Sequence, residues 1–225
     1  MNSKQLAANK ALEKVKDGMT VGLGTGTTAY FAIEGLAALV RAGLHIRTVA
    51  SSVASENLAR EAGIAVSDFS RIDCIDLYID GADEVDARTN LIKGGGGALT
   101  REKILSFNSE KFLVIVDESK MVQELGKFPL AVEVLPFAFP FTLSHLEQLG
   151  CKASIRKKDA TNFLTDNGNF IADCQFNSIP DPSDLNRSIR GIPGVVECGL
   201  FEHHFVDMLI VGNKDGTVRE IAVGY

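Results

Sequence analysis

The chain has 225 residues, 45% of them hydrophobic and 23% charged, with a formal net charge of -6. This is the composition of a globular protein rather than a disordered one, and the length suffices to bury a substantial core. No apolar run reaches the roughly 18–20 residues of a membrane span, and an acidic chain without basic clusters is unsuited to nucleic acid. We therefore expect neither a membrane nor a nucleic acid among its partners.

The first half of the chain alternates between helix and strand patterns. Apolar spacing predicts helices over 4–16, 28–42, 55–62 and 99–108, and strands over 19–23, 46–50, 64–66, 75–79 and 112–116. Nearly continuous apolar strands are typical of a parallel sheet that is covered on both faces. The predicted fold class is therefore α/β, with a mostly parallel, Rossmann-like sheet and helices on both of its faces.

The pattern changes near Phe128 and Pro129. Helices are predicted beyond this point over 142–149 and 182–190, and a strand begins at Val195. The sequence Asp-Asn-Gly between the alternating segments 162–165 and 169–173 predicts a β-hairpin. A last strand over 206–211 is of the buried type that a return to the first sheet requires.

These patterns predict two domains. Residues 1–127 and 200–225 are expected to form a Rossmann-like catalytic domain. Residues 128–199 are expected to form a smaller α+β domain, which would serve as a lid or as an oligomer interface.

The first candidate site segment is a glycine-rich turn between a strand and a helix. It combines Gly24 and Gly26 with the hydroxyl groups of Thr25, Thr27 and Thr28. Glycines let backbone N–H groups approach an anion closely, and a helix N-terminus favours negative charge. The segment therefore predicts a phosphate-binding loop.

Two other interpretations of this turn stay open. Gly24, Gly26 and Ala29 match the spacing of a dinucleotide-binding fingerprint, which also needs an acidic residue about 20 positions further on. The stretch 48–55 contains no acid, and this weakens the match. A tight strand–helix turn that binds no ligand is the other alternative.

The second segment is Asp80, Gly81, Ala82, Asp83 and Glu84, directly after a predicted buried strand. In open parallel sheets, ligands bind beyond the carboxyl ends of the strands. Carboxylates placed there bind sugar hydroxyls, transfer protons or hold a divalent metal. The alternative is an acidic surface turn in which Asp80 caps a helix.

The third segment is Lys93 followed by four consecutive glycines, Gly94–Gly97, and a helix. Four glycines are costly in conformational entropy, and a backbone that must wrap a ligand explains them better than a linker does. Lys93 supplies a cation for an oxyanion, and Glu102 falls in the early turns of the helix. The alternative for Glu102 is an ordinary solvated glutamate between Arg101 and Lys103.

A fourth segment, 117–120, also follows a buried strand and ends in Lys120, which is either a site residue or a surface lysine. Because the carboxyl ends of parallel strands lie at one edge, the four segments are expected to converge there. Together they predict a site for a small, phosphorylated, hydroxyl-rich molecule. Carboxylates and lysines in that site would be placed for proton transfer.

The cysteines and histidines do not indicate a metal site. The four cysteines at 74, 151, 174 and 198 are far apart and form no Cys-x-x-Cys pair, so reduced thiols in a cytoplasmic protein are expected. His203 and His204 are adjacent and point in different directions, which makes a poor chelate.

The four segments resemble the ribose-5-phosphate isomerase A family in order and approximate spacing. The stretches 126–130, 165–169 and 192–196 are also similar to that family, so the resemblance covers essentially the whole chain. Thr27 stands where many members have serine, and both residues supply a hydroxyl. The stretch 152–162 matches only loosely and contains none of the functional motifs.

The resemblance implies an enzyme that interconverts ribose 5-phosphate and ribulose 5-phosphate in the pentose phosphate pathway, without metal or organic cofactor. It implies that Glu102 moves a proton between C2 and C1 through an enediolate. Asp80 would assist ring opening and proton transfer at the sugar oxygens, and Lys93 would stabilise the oxyanion. The family is homo-oligomeric, so a dimer or tetramer is expected.

The implied substrate-binding set is larger than the catalytic one. It comprises Thr25, Gly26, Thr27, Thr28, Asp80, Gly81, Ala82, Asp83, Lys93, Gly94, Gly95, Gly96 and Lys120.

Two other classes of function stay open. A sugar-phosphate sensor domain without catalysis would have a similar glycine-rich loop, although no DNA-binding unit precedes the first strand and a sensor needs neither Glu102 nor Lys93. A nucleotide-dependent oxidoreductase would need the acid that is missing after the second strand.

Overall fold

The structure is a computed structural model that describes residues 2–224. It divides into two compact units, each built from separate stretches of the chain. The first unit comprises the residues up to Ala82, Arg101–Lys120 and the stretch from His204 onward, and the second comprises Asp83–Thr100 and Met121–His203. Among residues 2–224, no helix has the length and apolar character needed to cross a bilayer.

Helices and strands alternate through the first part of the chain. The helices are α1 (Ser3–Leu12), α2 (Thr27–Arg41), α3 (Val53–Glu61), α4 (Leu99–Phe107), α5 (Phe139–Glu147) and α6 (Pro182–Arg190). The first strands are β1 (Thr20–Leu23), β2 (Arg47–Ala50), β3 (Leu77–Asp80), β4 (Glu84–Val85), β5 (Leu91–Ile92), β6 (Phe112–Asp117) and β7 (Leu130–Val134). They are followed by β8 (Lys152–Ile155), β9 (Lys157–Lys158), β10 (Thr161–Asn162), β11 (Phe170–Gln175), β12 (Val195–Cys198), β13 (Leu200–Phe201), β14 (Met208–Gly212) and β15 (Val218–Ala222).

The first unit contains a six-stranded sheet in the order β15-β14-β6-β3-β1-β2. All of its neighbouring strands are parallel except β15, which pairs with β14 in the antiparallel sense. The strand near the C-terminus therefore does return to the first sheet. The predicted α/β fold with a mostly parallel sheet is confirmed, and the carboxyl ends of β1, β2, β3 and β6 lie at one edge.

The core of the first unit lies between the sheet and the helices that cover it. Apolar strand residues such as Val21, Ile79 and Ile115 are completely or almost completely buried against apolar residues of α1 and α2. In α1 the buried positions are largely alanines, so the helix backbone can approach its neighbours closely.

The second unit is antiparallel. It contains a four-stranded sheet in the order β12-β7-β11-β8, a three-stranded sheet in the order β13-β5-β4, and the short pair β9–β10. Helices α5 and α6 contribute Leu146 and Ile189 to its core. The predicted helix over 182–190 has the bounds that the structure shows.

The prediction that the segments 162–165 and 169–173 pair as a hairpin around Asp-Asn-Gly is wrong. The turn itself is present, since the Thr165 N–H donates to the Asn169 carbonyl over 2.9 Å. However, β11 pairs with β7 on one side and β8 on the other, which leaves no free edge for the stretch 162–165. Asn162 pairs with Lys157 instead.

One further expectation differs from the structure. The stretch 64–66 makes a single bridge from Val66 to Thr48 rather than a strand. The compact second unit also includes 83–100, because β5 pairs with both β4 and β13 there. The division at 127/128 and 199/200 into two domains stays a prediction.

Candidate active site

The turn after β1 has the backbone features that the sequence predicts for an anion-binding loop. The Gly24 N–H donates to the Ile79 carbonyl (3.0 Å), so β3 fixes the start of the turn. Gly26 precedes α2 with a φ of 101°, a left-handed conformation that glycine adopts without strain. No side chain caps α2 at this position, so the N–H groups of its first turn point to a place where an anion is stabilised.

Serines at the carboxyl end of β2 hold this turn in place. The Thr25 hydroxyl lies 2.8 Å from those of Ser51 and Ser52, and the Ser55 hydroxyl donates to the Gly24 carbonyl over 2.6 Å. This is the region where a dinucleotide-binding fold needs an acid. The hydroxyls found there bind the turn itself, which does not favour that interpretation.

Asp80 ends β3 and is completely buried. Its Oδ1 accepts hydrogen bonds from the backbone N–H groups of Thr25 (3.0 Å) and Gly81 (2.7 Å). A Cβ atom at Gly24 would lie only 2.2 Å from this oxygen, so only glycine fits against the carboxylate. The close approach of Asp80 alone therefore accounts for a glycine at position 24.

Glu102 is not a solvated surface residue. It lies in the first turn of α4 and its side chain is buried. Burial raises the pKa of Tyr78 well above 10, and the carboxylates of Asp80 and then Glu102 raise it further. Both carboxylates therefore act on the same buried hydroxyl within the first unit.

Two lysines bring positive charge to the first unit's binding loops. Lys4 Nζ donates to the Thr27 hydroxyl over 2.7 Å. No spacing in the sequence indicates this contact, because Lys4 is on α1, 23 residues away from its partner. Lys120 follows β6, the strand beside β3, so it starts from the same sheet edge as Asp80.

The glycine run belongs to the second unit. The Gly95 N–H donates to the Asp83 carboxylate over 2.7 Å, and a Cβ atom at Gly95 would lie 2.6 Å from this group. Lys93 is buried, its N–H donates to the Gly199 carbonyl, and its Nζ lies 5.5 Å from the centroid of the Phe201 ring. The loop is thus fixed at its start and its middle.

Arg156 binds the same loop from another side, although the stretch 152–162 was expected to contain no functional motif. Its Nη1 donates to the carbonyls of Gly94 (2.9 Å) and Gly95 (3.0 Å). Its other guanidinium nitrogens hold both carboxylate oxygens of Asp173, at 3.0 and 2.5 Å. Such a two-pronged pair fixes the guanidinium and, through it, the loop carbonyls.

Arg156→Ala is expected to loosen the glycine run. The variant loses two bonds to loop carbonyls and leaves Asp173 without this partner, which should cost about 2 kcal/mol of stability. Hydrogen exchange should become faster in peptides that contain Gly94–Gly97. The control is Arg187→Ala, which removes an exposed pair with Asp184 in the same unit and should change neither quantity. Unchanged exchange in the Arg156 variant would contradict this role.

The Thr25 loop also borders a cavity of about 450 Å³. Its lining is mainly apolar, with Tyr30, Phe31 and Leu58 among its larger side chains, and contains no charged residue. A sugar phosphate needs charged or polar partners for both of its ends. We therefore assign the candidate site to the loop and to Asp80 rather than to this cavity.

The candidate residues divide between the two units. The first unit contains Thr25–Thr28, Asp80–Ala82, Glu102 and Lys120. The second unit contains Asp83 and Lys93–Gly96. Within residues 2–224, no group of three or more histidines, cysteines or acids is placed to hold a metal ion.

Known proteins match the chain over most of its length. Residues 47–216 match the family model described as ribose 5-phosphate isomerase A (phosphoriboisomerase A). The ribose-5-phosphate isomerase A of Picrophilus torridus is 53% identical over 202 residues, covering 90% of each chain. That of Bacillus mycoides is 46% identical over 217 residues, covering 96% of this chain and 98% of its own.

Solved structures agree with this comparison. A D-ribose-5-phosphate isomerase in complex with phospho-erythronic acid superposes with a TM-score of 0.94 at 40% identity, covering 99% of this chain and 100% of its own. Ribose 5-phosphate isomerase A from Methanocaldococcus jannaschii superposes with a TM-score of 0.92 at 41% identity, covering 98% of each chain. The chain therefore belongs to the ribose 5-phosphate isomerase A family.

Proposed function

We propose that the chain isomerises D-ribose 5-phosphate with Glu102 as the catalytic base. The chain is an enzyme, an aldose–ketose isomerase that interconverts this sugar phosphate and D-ribulose 5-phosphate. The observation that supports Glu102 as base is its burial in the first turn of α4, in the same environment as the Asp80 carboxylate.

The phosphate end of the substrate is assigned to the turn before α2. Backbone N–H groups of Gly26–Thr28 and the threonine hydroxyls supply donors, and the helix N-terminus favours the negative charge. Lys4 adds a cation at Thr27, and Lys120 adds another from the end of β6. This assignment adds Lys4 to the residues that the sequence indicates.

The proton transfer begins with the open-chain aldehyde. Glu102 removes the proton from C2, the C2–H electron pair forms the C1–C2 double bond, and the C1 carbonyl oxygen becomes an oxyanion. Glu102 then returns the proton to C1, and the proton of the C2 hydroxyl passes to the oxyanion at C1. This leaves a ketone at C2 and a hydroxyl at C1. A base placed in this way contributes about 10²–10⁴-fold to the rate.

The remaining residues take the roles that the family motifs imply. Lys93 stabilises the oxyanion of the enediolate, and Asp83 contacts the substrate. Asp80 assists ring opening and proton transfer at the sugar oxygens. Because its Oδ1 already accepts two backbone N–H groups, the Asp80 carboxyl group is held in one orientation before substrate arrives.

The ligand of one relative fits this chemistry. That isomerase was solved with phospho-erythronic acid. The carboxylate of this acid is planar and carries two oxygens. An enediolate is also planar at its reacting end, where two adjacent carbons carry one oxygen each. A site that binds such a group is suited to the intermediate rather than to the sugar alone.

The alternative of a sensor module without catalysis is not favoured. The curated relatives that match over nearly the whole chain are isomerases by name. The oxidoreductase interpretation lacks the acid at the end of β2, where Ser51 and Ser52 stand instead.

A coupled assay tests the proposal most simply. Purified protein is given ribose 5-phosphate, and ribulose 5-phosphate is measured with and without a chelator. Conversion in both samples is expected. No conversion would favour a sensor, and conversion that the chelator abolishes would contradict a metal-free reaction.

We further propose a homo-oligomer, a dimer or a tetramer, formed through an apolar patch on the second unit. Phe137 is 86% exposed and Phe141 is 75% exposed. Leu135, directly after β7, and Val196, on the neighbouring strand β12, are also exposed. Exposed patches of this kind typically mark interaction surfaces. A second copy of the chain is the occupant that the family resemblance implies.

Replacing Phe137 and Phe141 together with serine is expected to lower the molar mass measured by light scattering on a sizing column. The control is Phe69→Ser, which removes an exposed phenylalanine of the first unit and should leave the mass unchanged. An unchanged oligomer in the double variant would place the interface elsewhere.

The proposed location is the cytoplasm. All four cysteines are free thiols, as is usual in a reducing compartment. Fractionation of cells that express the tagged chain tests this assignment.

A further inference from the structure

Tyr78 is a buried polar side chain to which the proposed reaction gives no task. It lies on β3, two residues before Asp80, and alternate residues of a strand point to the same face. Its ring is completely buried and stacks on Phe112 with 4.8 Å between the ring centroids. The side chain is therefore held on the face from which Asp80 also projects.

The Tyr78 hydroxyl connects Asp80 to the anion-binding turn. It donates a short hydrogen bond to Asp80 Oδ2, while Asp80 Oδ1 accepts the N–H of Thr25. On the other side of the turn, the Ser51 hydroxyl lies 2.8 Å from the Thr25 hydroxyl. Tyr78, Asp80, Thr25 and Ser51 are thus joined in a chain of contacts, with the Asp80 carboxylate between the tyrosine and the turn.

Two glycines leave room for the Tyr78 and Asp80 side chains. A Cβ atom at Gly22 would lie 2.7 Å from the Tyr78 ring, and one at Gly24 would lie 2.3 Å from the Asp80 carboxyl carbon. Two glycines of β1 and its turn are therefore required by the Tyr78–Asp80 pair. The phosphate-binding pattern alone does not account for Gly22.

The hydroxyl acts as a donor and not as a base. Burial raises its pKa well above 10, and the neighbouring carboxylates of Asp80 and Glu102 raise it further. It therefore keeps its proton at neutral pH. A permanent O–H donor to a buried carboxyl group fixes the orientation of that group.

We propose that Tyr78 is a positioning residue of the isomerase, whose hydroxyl fixes the Asp80 carboxyl group against the Thr25 turn, which Ser51 holds from the other side. This inference rests on the proposed role of Asp80 at the sugar oxygens. It assigns to β3 a second residue that acts in the reaction, through Asp80 and without touching the substrate.

Tyr78→Phe tests the inference, because it keeps the ring and removes only the hydroxyl. We expect kcat to fall by about 10–100-fold, the equivalent of one hydrogen bond to a charged group, with KM within about twofold. Ser51→Ala leaves Tyr78 in place and should lower kcat in the same direction by less. The control is Phe112→Leu, which perturbs the same ring stack and should leave kcat within about twofold.

A double-mutant cycle separates positioning from general stability. If Tyr78 acts through Asp80, Tyr78→Phe should lower the residual kcat of Asp80→Asn by less than about twofold. Additive losses, an unchanged kcat in Tyr78→Phe, or an equal loss in Phe112→Leu would each overturn the inference while leaving the proposed function intact. Full activity in Asp80→Asn alone would instead contradict the proposed role of Asp80.

Discussion

Glu102→Gln is expected to lower kcat for ribose 5-phosphate by about 10²–10⁴-fold, the contribution of a placed general base. The substitution is nearly isosteric, so binding of a sugar phosphate that does not react should stay within about tenfold of the wild type. A steady-state assay gives kcat, and titration calorimetry with the unreactive sugar phosphate gives the affinity.

Glu102→Asp is the matched variant, since it keeps a carboxylate but withdraws it by one methylene. Its activity should lie between those of the wild type and the glutamine variant, because misplacement weakens a base without removing it. Near-normal turnover in Glu102→Gln would remove this residue from the mechanism. Equal losses of turnover and binding would indicate a binding role instead.

Glu133→Ala is expected to destabilise the second unit by about 3 kcal/mol, the largest stability effect that we predict. Glu133 is completely buried on β7 and accepts hydrogen bonds from the hydroxyls of Thr100 and Thr165 and from the side-chain amides of Asn167 and Asn169. Its removal leaves these four donors without their acceptor. The hydroxyls of Thr165, which is buried, and Thr100, which is half-buried, have the least access to water as a replacement.

The expected loss is measured as a shift in the urea midpoint of unfolding. Glu147→Ala is the control, because this glutamate is exposed on α5 of the same unit and should cost less than about 0.5 kcal/mol. A Glu133 variant as stable as this control would show that the buried carboxylate does not organise the turn at 165–169.

The sequence predicts the first unit better than the second. Parallel strands buried on both faces have continuous apolar runs, and 112–116 is an example that needs no knowledge of its partners. In the second unit the strands are short and their pairing is set over long distances. Residues 161–163 pair with 156–158 because β11 already has two neighbours, and no local sequence signal indicates this pairing.

The same distinction between local and long-range signals applies to the residues of the candidate site. Glycine runs and acids after strands are visible locally, so the sequence makes Asp80 and Lys93 candidates, and the family resemblance adds Glu102. The sequence does not indicate Lys4, Tyr78 or Arg156, because each acts through a partner that only the fold brings close. Arg156 reaches Gly94 from 62 residues away, and Lys4 reaches Thr27 from another helix.

Solvent deuterium is the most direct test of the claim that Glu102 moves a proton through an enediolate. The wild-type enzyme and the Glu102→Gln variant are incubated with ribose 5-phosphate in D₂O for many turnovers, and the label is located by NMR. We predict that deuterium accumulates at C2 of the aldose and C1 of the ketose with the wild type only. An interconverted pool without label, or equal labelling by the variant, would contradict the mechanism.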